Sequence, residues 1–182
     1  YAAAFLTMGL TSRSFAQSSG AVINGLAREI DPLTRAMRGQ TTSIADRREG
    51  LVEIYNRVDL ADIRRDMDFE ALAERTGYAE RGVATAPVRM SLENGTRLSF
   101  YPKMFAVGRG RAIVPHGHDN MVSAHLTLSG QFHLRQYDKL AVEDDALLIR
   151  QTVDEMAGPG KLSSISETQD NVHWFLATED RQ

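Results

Sequence analysis

The sequence predicts a mainly β domain, an antiparallel sandwich or barrel, preceded by a helical segment. Three observations carry this prediction. Between residues 20 and 78 apolar residues recur at intervals of three and four. After Gly82 they alternate, side to side, at a period of two. Turn signals then cut that second part into many short strands, the pattern of an all-β architecture. A chain of 182 residues, 42% hydrophobic, is enough for one sizeable core and at most an appendage.

The chain opens with the uncharged run Tyr1–Leu10, followed by Ser14-Phe15-Ala16. Small residues two apart after an apolar run read as a secretory signal, cleaved between Ala16 and Gln17, with the basic start of the signal missing. That implies a secreted or periplasmic protein. The competing reading is an apolar helix packed on the domain of a cytoplasmic protein. The run is shorter than the roughly 20 residues a membrane span needs, and no other run comes closer, so no membrane span is expected.

The helical segment follows. Val22, Ile23, Leu26 and Ile30 form an apolar stripe, and Asp31-Pro32 reads as the cap and first turn of a second, short helix. Ile44, Leu51, Val52, Tyr55 and Val58 form another stripe. Asp59 is placed to cap a turn carrying Leu60 and Ile63, and Asp68 to cap Phe69–Thr76, with Gly77 as its stop. Arg35, Arg38, Asp46, Arg47, Arg48 and Glu49 read as solvated helix surface.

The expected strands are 88–92, 97–101, 112–114, 122–128, 131–137, 146–150 and 172–177. Glu93-Asn94-Gly95, Gly108-Arg109-Gly110, Ser129-Gly130 and Gly158-Pro159-Gly160 separate them. The organisation is then a signal over 1–16, a helical segment over 17–82 and a β domain over 83–182, cut short at its C-terminus.

Composition excludes several functions. Lys and Arg number 21 against 24 Asp and Glu, with no basic block, which argues against nucleic acid as a partner. Cysteine is absent, so thiolate metal sites, iron–sulfur clusters and cysteine nucleophiles are excluded. Gly108-Arg109-Gly110 lacks the context of a phosphate loop. No Gly-x-Ser-x-Gly elbow supports a hydrolase triad.

The five histidines all lie from His116 onward. His116 and His118, two apart in an extended strand, project to one face and can chelate one ion. His173, in the apolar strand Val172-His-Trp-Phe, is the obvious third ligand, since an unpaired imidazole is costly to bury there. His125 shares the face of Ser123 by strand parity. It is a candidate fourth ligand or an acid–base residue of the pocket, with Ser123 hydrogen-bonding to a bound water. His133 reads as a sheet-surface residue or one that supports the ligands from behind, not as a ligand. Tyr101, Tyr137 and Trp174 read as packing residues, with one of them a candidate for the pocket lining, and Asp138 as closing a turn or orienting a ligand imidazole.

Gly110, five residues, His116-x-His118, four residues, Ser123, six residues and Gly130 resemble the first motif of the cupin superfamily. In that motif a glutamate stands where this chain has Ser123. His173 is similar to the histidine of the second motif, whose Pro-x-Gly falls here on Thr168 and Asp170. The resemblance covers residues 85–178 and implies a double-stranded β-helix, or jelly-roll, barrel. It also implies one divalent metal on His116, His118 and His173. Three neutral imidazoles leave the ion dipositive, with open positions that favour an anionic ligand and dioxygen. In layout the stretch from His116 to Asp138, with Asn171-x-His173, is similar to the thiol dioxygenases of the plant cysteine oxidase and cysteamine dioxygenase branch. That implies an Fe(II) dioxygenase acting on a small chelating substrate such as a thiol, with dioxygen as the second partner and a homodimer as a possible assembly. Zinc, manganese or nickel in the same site implies an isomerase, a hydrolase or a non-enzymatic secreted metal- or ligand-binding cupin.

Overall fold

The structure is a computed structural model and describes residues 4–5, 20–119 and 121–179. The chain is mostly β, with antiparallel sheets and an N-terminal helical segment. Four helices come first: α1 (Ala21–Arg38), α2 (Ile44–Asn56), α3 (Leu60–Asp66) and α4 (Phe69–Thr76). The strands are β1 (Ala4–Phe5), β2 (Ala84–Pro87), β3 (Lys103–Ala106), β4 (Ala112–His116), β5 (Ser123–Ser129), β6 (Phe132–Val142), β7 (Leu147–Ala157), β8 (Leu162–Ile165) and β9 (Val172–Ala177). They form three sheets, ordered β1-β5-β8, β2-β3 and β4-β9-β6-β7. Among the described residues no strand pairing joins one sheet to another, so a closed barrel is not formed.

Asp31-Pro32 does not start a helix: α1 runs unbroken through Pro32. An interior proline costs about 3 kcal/mol, and burial of Ile23, Leu26, Ala27 and Ile30 along the helix outweighs it. The Asp31 carboxylate is used elsewhere, accepting from the Ser99 backbone N–H at 2.7 Å and the Ser99 hydroxyl at 2.8 Å. The later helices lie where the pattern put them. Ser43 and Asp46 form a capping box on α2, and the Asp59 carboxylate accepts from Ala61 N–H at 2.7 Å. Asp68 precedes α4 without a side-chain cap, and Gly77 ends it at φ 58°.

Residues 88–92 and 97–101 are not strands. Their alternation has another cause. Val88, Met90, Leu92, Leu98 and Phe100 insert into the apolar cluster of the helices, while the chain's polar groups meet α1 side chains. Ser91 N–H donates to Asn24 Oδ1, and Arg35 donates to the Arg97 carbonyl. With these groups satisfied by a helix, no strand partner is required. β2, β3 and β8 are strands the pattern did not reveal.

Strand β5 organises the layers. Ala124, Leu126 and Leu128 belong to the helical core cluster. The alternate residue His125 turns the other way, its ring 5.3 Å from that of His173 and 5.2 Å from that of Phe175. The β1-β5-β8 sheet thus lies between the helices and the β4-β9-β6-β7 sheet. A second, smaller core of Phe132, Leu134, Phe175 and Ala177 fills the larger sheet's inner face. Ala4 and Phe5 pair with Ser129 and Thr127. The expected cleavage point at Ala16 lies outside the described residues. Among the described residues no helix is long and apolar enough to cross a membrane.

Candidate metal centre

Strand pairing brings the first two imidazoles together. In the antiparallel β4–β9 pair, His116 is the direct partner of His173, and directly opposed residues share a face. His118 follows in the loop after β4. The three ligand atoms, one per ring, lie within 4.8 Å of one another. Ring centroids are 4.8 Å apart for His116 and His118, 4.3 Å for His116 and His173, and 5.1 Å for His118 and His173. Three histidines so placed could hold a single metal ion.

The rings are prepared for that role. His116 Nδ1 lies 2.9 Å from the Val114 carbonyl. A carbonyl only accepts, so Nδ1 carries the proton and the Nε2 lone pair is left for a ligand. His173 is 2% exposed. Burial, reinforced by the neighbouring His125, His116 and His118 rings, pushes its pKa down to about 2. It is neutral at physiological pH, the form a metal ligand needs. Burial, then His116, also lowers His118, while Asp119 pulls the other way. These residues therefore fit a divalent ion.

The backbone around the cluster is held by Asn171. Its amide donates to the His118 carbonyl and, at 3.3 Å, to that of Ser166, which ties the His-x-His loop to the start of β9. The contact is close enough that a Cβ on Gly117 would meet Asn171 Oδ1 at 2.4 Å, so the middle position has no room for a side chain. Asp170, at φ 53°, is fixed from three sides. Arg48 and Thr152 donate to its carboxylate, and its N–H donates to Asp138 at 2.9 Å. Asp138 accepts from Arg150 as well, at 2.8 Å. It anchors the loop before His173 and orients no imidazole.

The remaining candidates fall around this cluster. His125 stands beside the three and lies outside the group whose ligand atoms converge. Burial, then His118 and His116, pushes it down to about 4. Ser123 lines the same cavity and its hydroxyl donates to Met121 Sδ at 3.3 Å. His133 is elsewhere, bonded through Nε2 to the Asp154 carboxylate. Trp174 stacks under Arg135, whose guanidinium carbon is 4.7 Å from the ring centroid. Tyr101 is 71% exposed at the cavity wall.

A cavity of about 780 Å³ opens onto the imidazoles, within the usual range for small-molecule sites. Its opposite wall comes from α1 and α2, including Leu33, Leu51 and Arg47. Arg47 is the residue the sequence pattern assigned to a solvated surface; it is 4% exposed. Arg48, expected beside it in solvent, is half-buried against β8. A signal for Arg47 existed: it lies four, seven and eight residues before Leu51, Ile54 and Tyr55, all buried on one face of α2.

The chain matches no protein-family model, and comparison with curated proteins finds no similar sequence.

Proposed function

We propose that the chain is a cupin-type metal-dependent dioxygenase, holding Fe(II) on His116, His118 and His173 and acting on a small chelating substrate such as a thiol. The observation that carries this reading is the convergence of three imidazoles, otherwise costly to crowd together, on the wall of one cavity. Bound there, iron supplies the redox chemistry that couples dioxygen to substrate. The protein's part is positional. His116 presents Nε2 because Val114 holds Nδ1; Asn171 fixes the spacing of His118 and His173; the helical wall limits access of water. His125, neutral at pH 7, lines the pocket beside the three ligands, where its ring is suited to hydrogen-bond bound substrate, and Ser123 is suited to hold a water. Asp170 supports the cupin resemblance from another side: it stands where that motif has glycine and adopts the left-handed backbone glycine favours.

The test is elemental analysis of the purified full chain before and after chelation, followed by oxygen uptake with a panel of thiols and diketones under added Fe(II). Iron at one equivalent with substrate-dependent uptake supports the reading. Zinc at one equivalent without uptake replaces it by Lewis-acid chemistry on the same ligands. We infer export from Ser14-Phe15-Ala16, with the β1 pairing then confined to the uncleaved precursor; the check is whether the mature chain begins at Gln17.

A further inference from the structure

The cavity carries a second chemical feature, independent of the histidines. Arg47 Nε and Nη1 are buried and have no hydrogen-bond acceptor, and among the described residues no carboxylate forms an ion pair with it. Its neighbour shows the usual solution. Arg48, one residue on, donates Nε to Ser164 Oγ at 2.7 Å and Nη2 to the Asp170 carboxylate. A guanidinium taken out of water without a partner is strongly unfavourable, and buried arginines are as a rule paired. The capping box of Ser43 and Asp46 fixes the start of α2 and hence the face on which Arg47 falls.

The charged lining has one sign. Among the described residues no Asp or Glu lines the cavity, whereas Arg47 and Lys103 do, beside the neutral imidazoles of His125 and His173. The same cavity is lined by the apolar side chains of Leu33, Met37, Leu51, Phe100 and Phe105. We propose that this cavity takes an organic monocarboxylate, its carboxylate held by the fork of Arg47 and its apolar body by the helical wall. Arginine's planar donors match a carboxylate bidentately. One buried cation compensates one charge; a phosphate dianion would leave its second charge and its hydration stranded among Leu33, Phe100 and Phe105. As a statement of the metal site's substrate class the inference rests on the proposed function; the carboxylate site itself does not.

The test is isothermal titration of the metal-free full chain, wild type, Arg47→Met and Arg47→Lys, with acetate, hexanoate and phenylacetate, each against its amide, and with inorganic phosphate. The expected result is binding of hexanoate or phenylacetate by the wild type and weakening by about ten- to a hundredfold in Arg47→Met, the range for a lost charged hydrogen bond. Arg47→Lys should weaken binding less, and the amides should not distinguish wild type from Arg47→Met. Equal carboxylate affinity in wild type and Arg47→Met overturns the proposal. So do amides that bind as tightly as acids, phosphate that binds more tightly than any carboxylate, and a wild type that binds none. The acid–amide comparison needs only the wild type, so it stands should a variant fail to fold. Metal uptake measured after Fe(II) is added back to the same preparations separates the two readings: carboxylate binding without metal uptake sinks the dioxygenase alone, and metal uptake without carboxylate binding sinks this inference alone.

Discussion

The two faces of strand β5 differ in what they cost and what they supply. Ala124, Leu126 and Leu128 are buried against the helices, where each gains from leaving water. Ser123, His125 and Thr127 alternate with them and face the sheet that carries His173. There Thr127 Oγ1 and, on the adjacent β8, Ser163 Oγ are buried without hydrogen-bond partners, and imidazoles crowd ring against ring. A buried polar group without a partner costs about 1–3 kcal/mol. One face of a single strand thus builds stability and the other spends it, a distribution expected where a binding site is kept at the expense of the fold.

The sharpest way to break this comparison is on the polar face. His116→Ala or His173→Ala should abolish metal binding, while His133→Ala, whose ring is engaged with Asp154, should leave metal content nearly intact; elemental analysis of the three variants checks this. Equal content in all three would remove the histidine cluster from the argument. On the apolar face, Leu128→Ala should lower stability by about 3 kcal/mol, read from urea unfolding, with the metal stoichiometry of the folded fraction unchanged.

Acid sharpens the contrast further. The folded-state pKa of His173 is about 2, below the 6.5 of the unfolded chain. Above pH 6.5 both states are neutral there and stability is full. As pH falls below 6.5 the unfolded chain takes up a proton that the folded one refuses, so stability declines by about 1.4 kcal/mol per pH unit from this residue. His125, at about 4, pulls the same way between 6.5 and 4. Urea midpoints of the metal-free protein at pH 7, 6 and 5 should show the decline, and His173→Gln should flatten it. A slope unchanged in that variant would mean the ring is solvated. The smallest expected effect is that of Gly117→Ala. The new methyl must displace Asn171, and metal affinity should fall by about tenfold, as for loss of groups that orient ligands, with the fold intact by circular dichroism.

How much of this was legible in the sequence depended on which forces set each element. β5, the first half of β6 and β9 could be read because their residues alternate between a core and another environment, and β4 because Ala112-Ile113-Val114 is rich in strand formers. His116 and His173 could be read because strand parity and an apolar neighbourhood are local properties. The extended run from Val88 to Phe100 misled for a physical reason: a chain laid along a helix also buries every second side chain, and the period alone does not say whether a strand or a helix satisfies its backbone. β8, with Ser163 and Ser164 at its centre, carries no apolar alternation at all. Arg47 was lost because its neighbours Asp46, Arg48 and Glu49 make the segment look solvated, and only the packing of α2 on β5 and β8 decides which of four consecutive charges goes inside.

The ion pair between Arg48 and Asp170 joins residues from opposite ends of the chain, and the cavity is divided in the same way. The imidazoles come from β4 onward, and one wall of the cavity, with Leu33, Met37, Arg47 and Leu51, comes from α1 and α2. Changes on the helices can therefore reshape that wall without touching the histidine cluster, much as a lock may be rekeyed while its bolt stays in place.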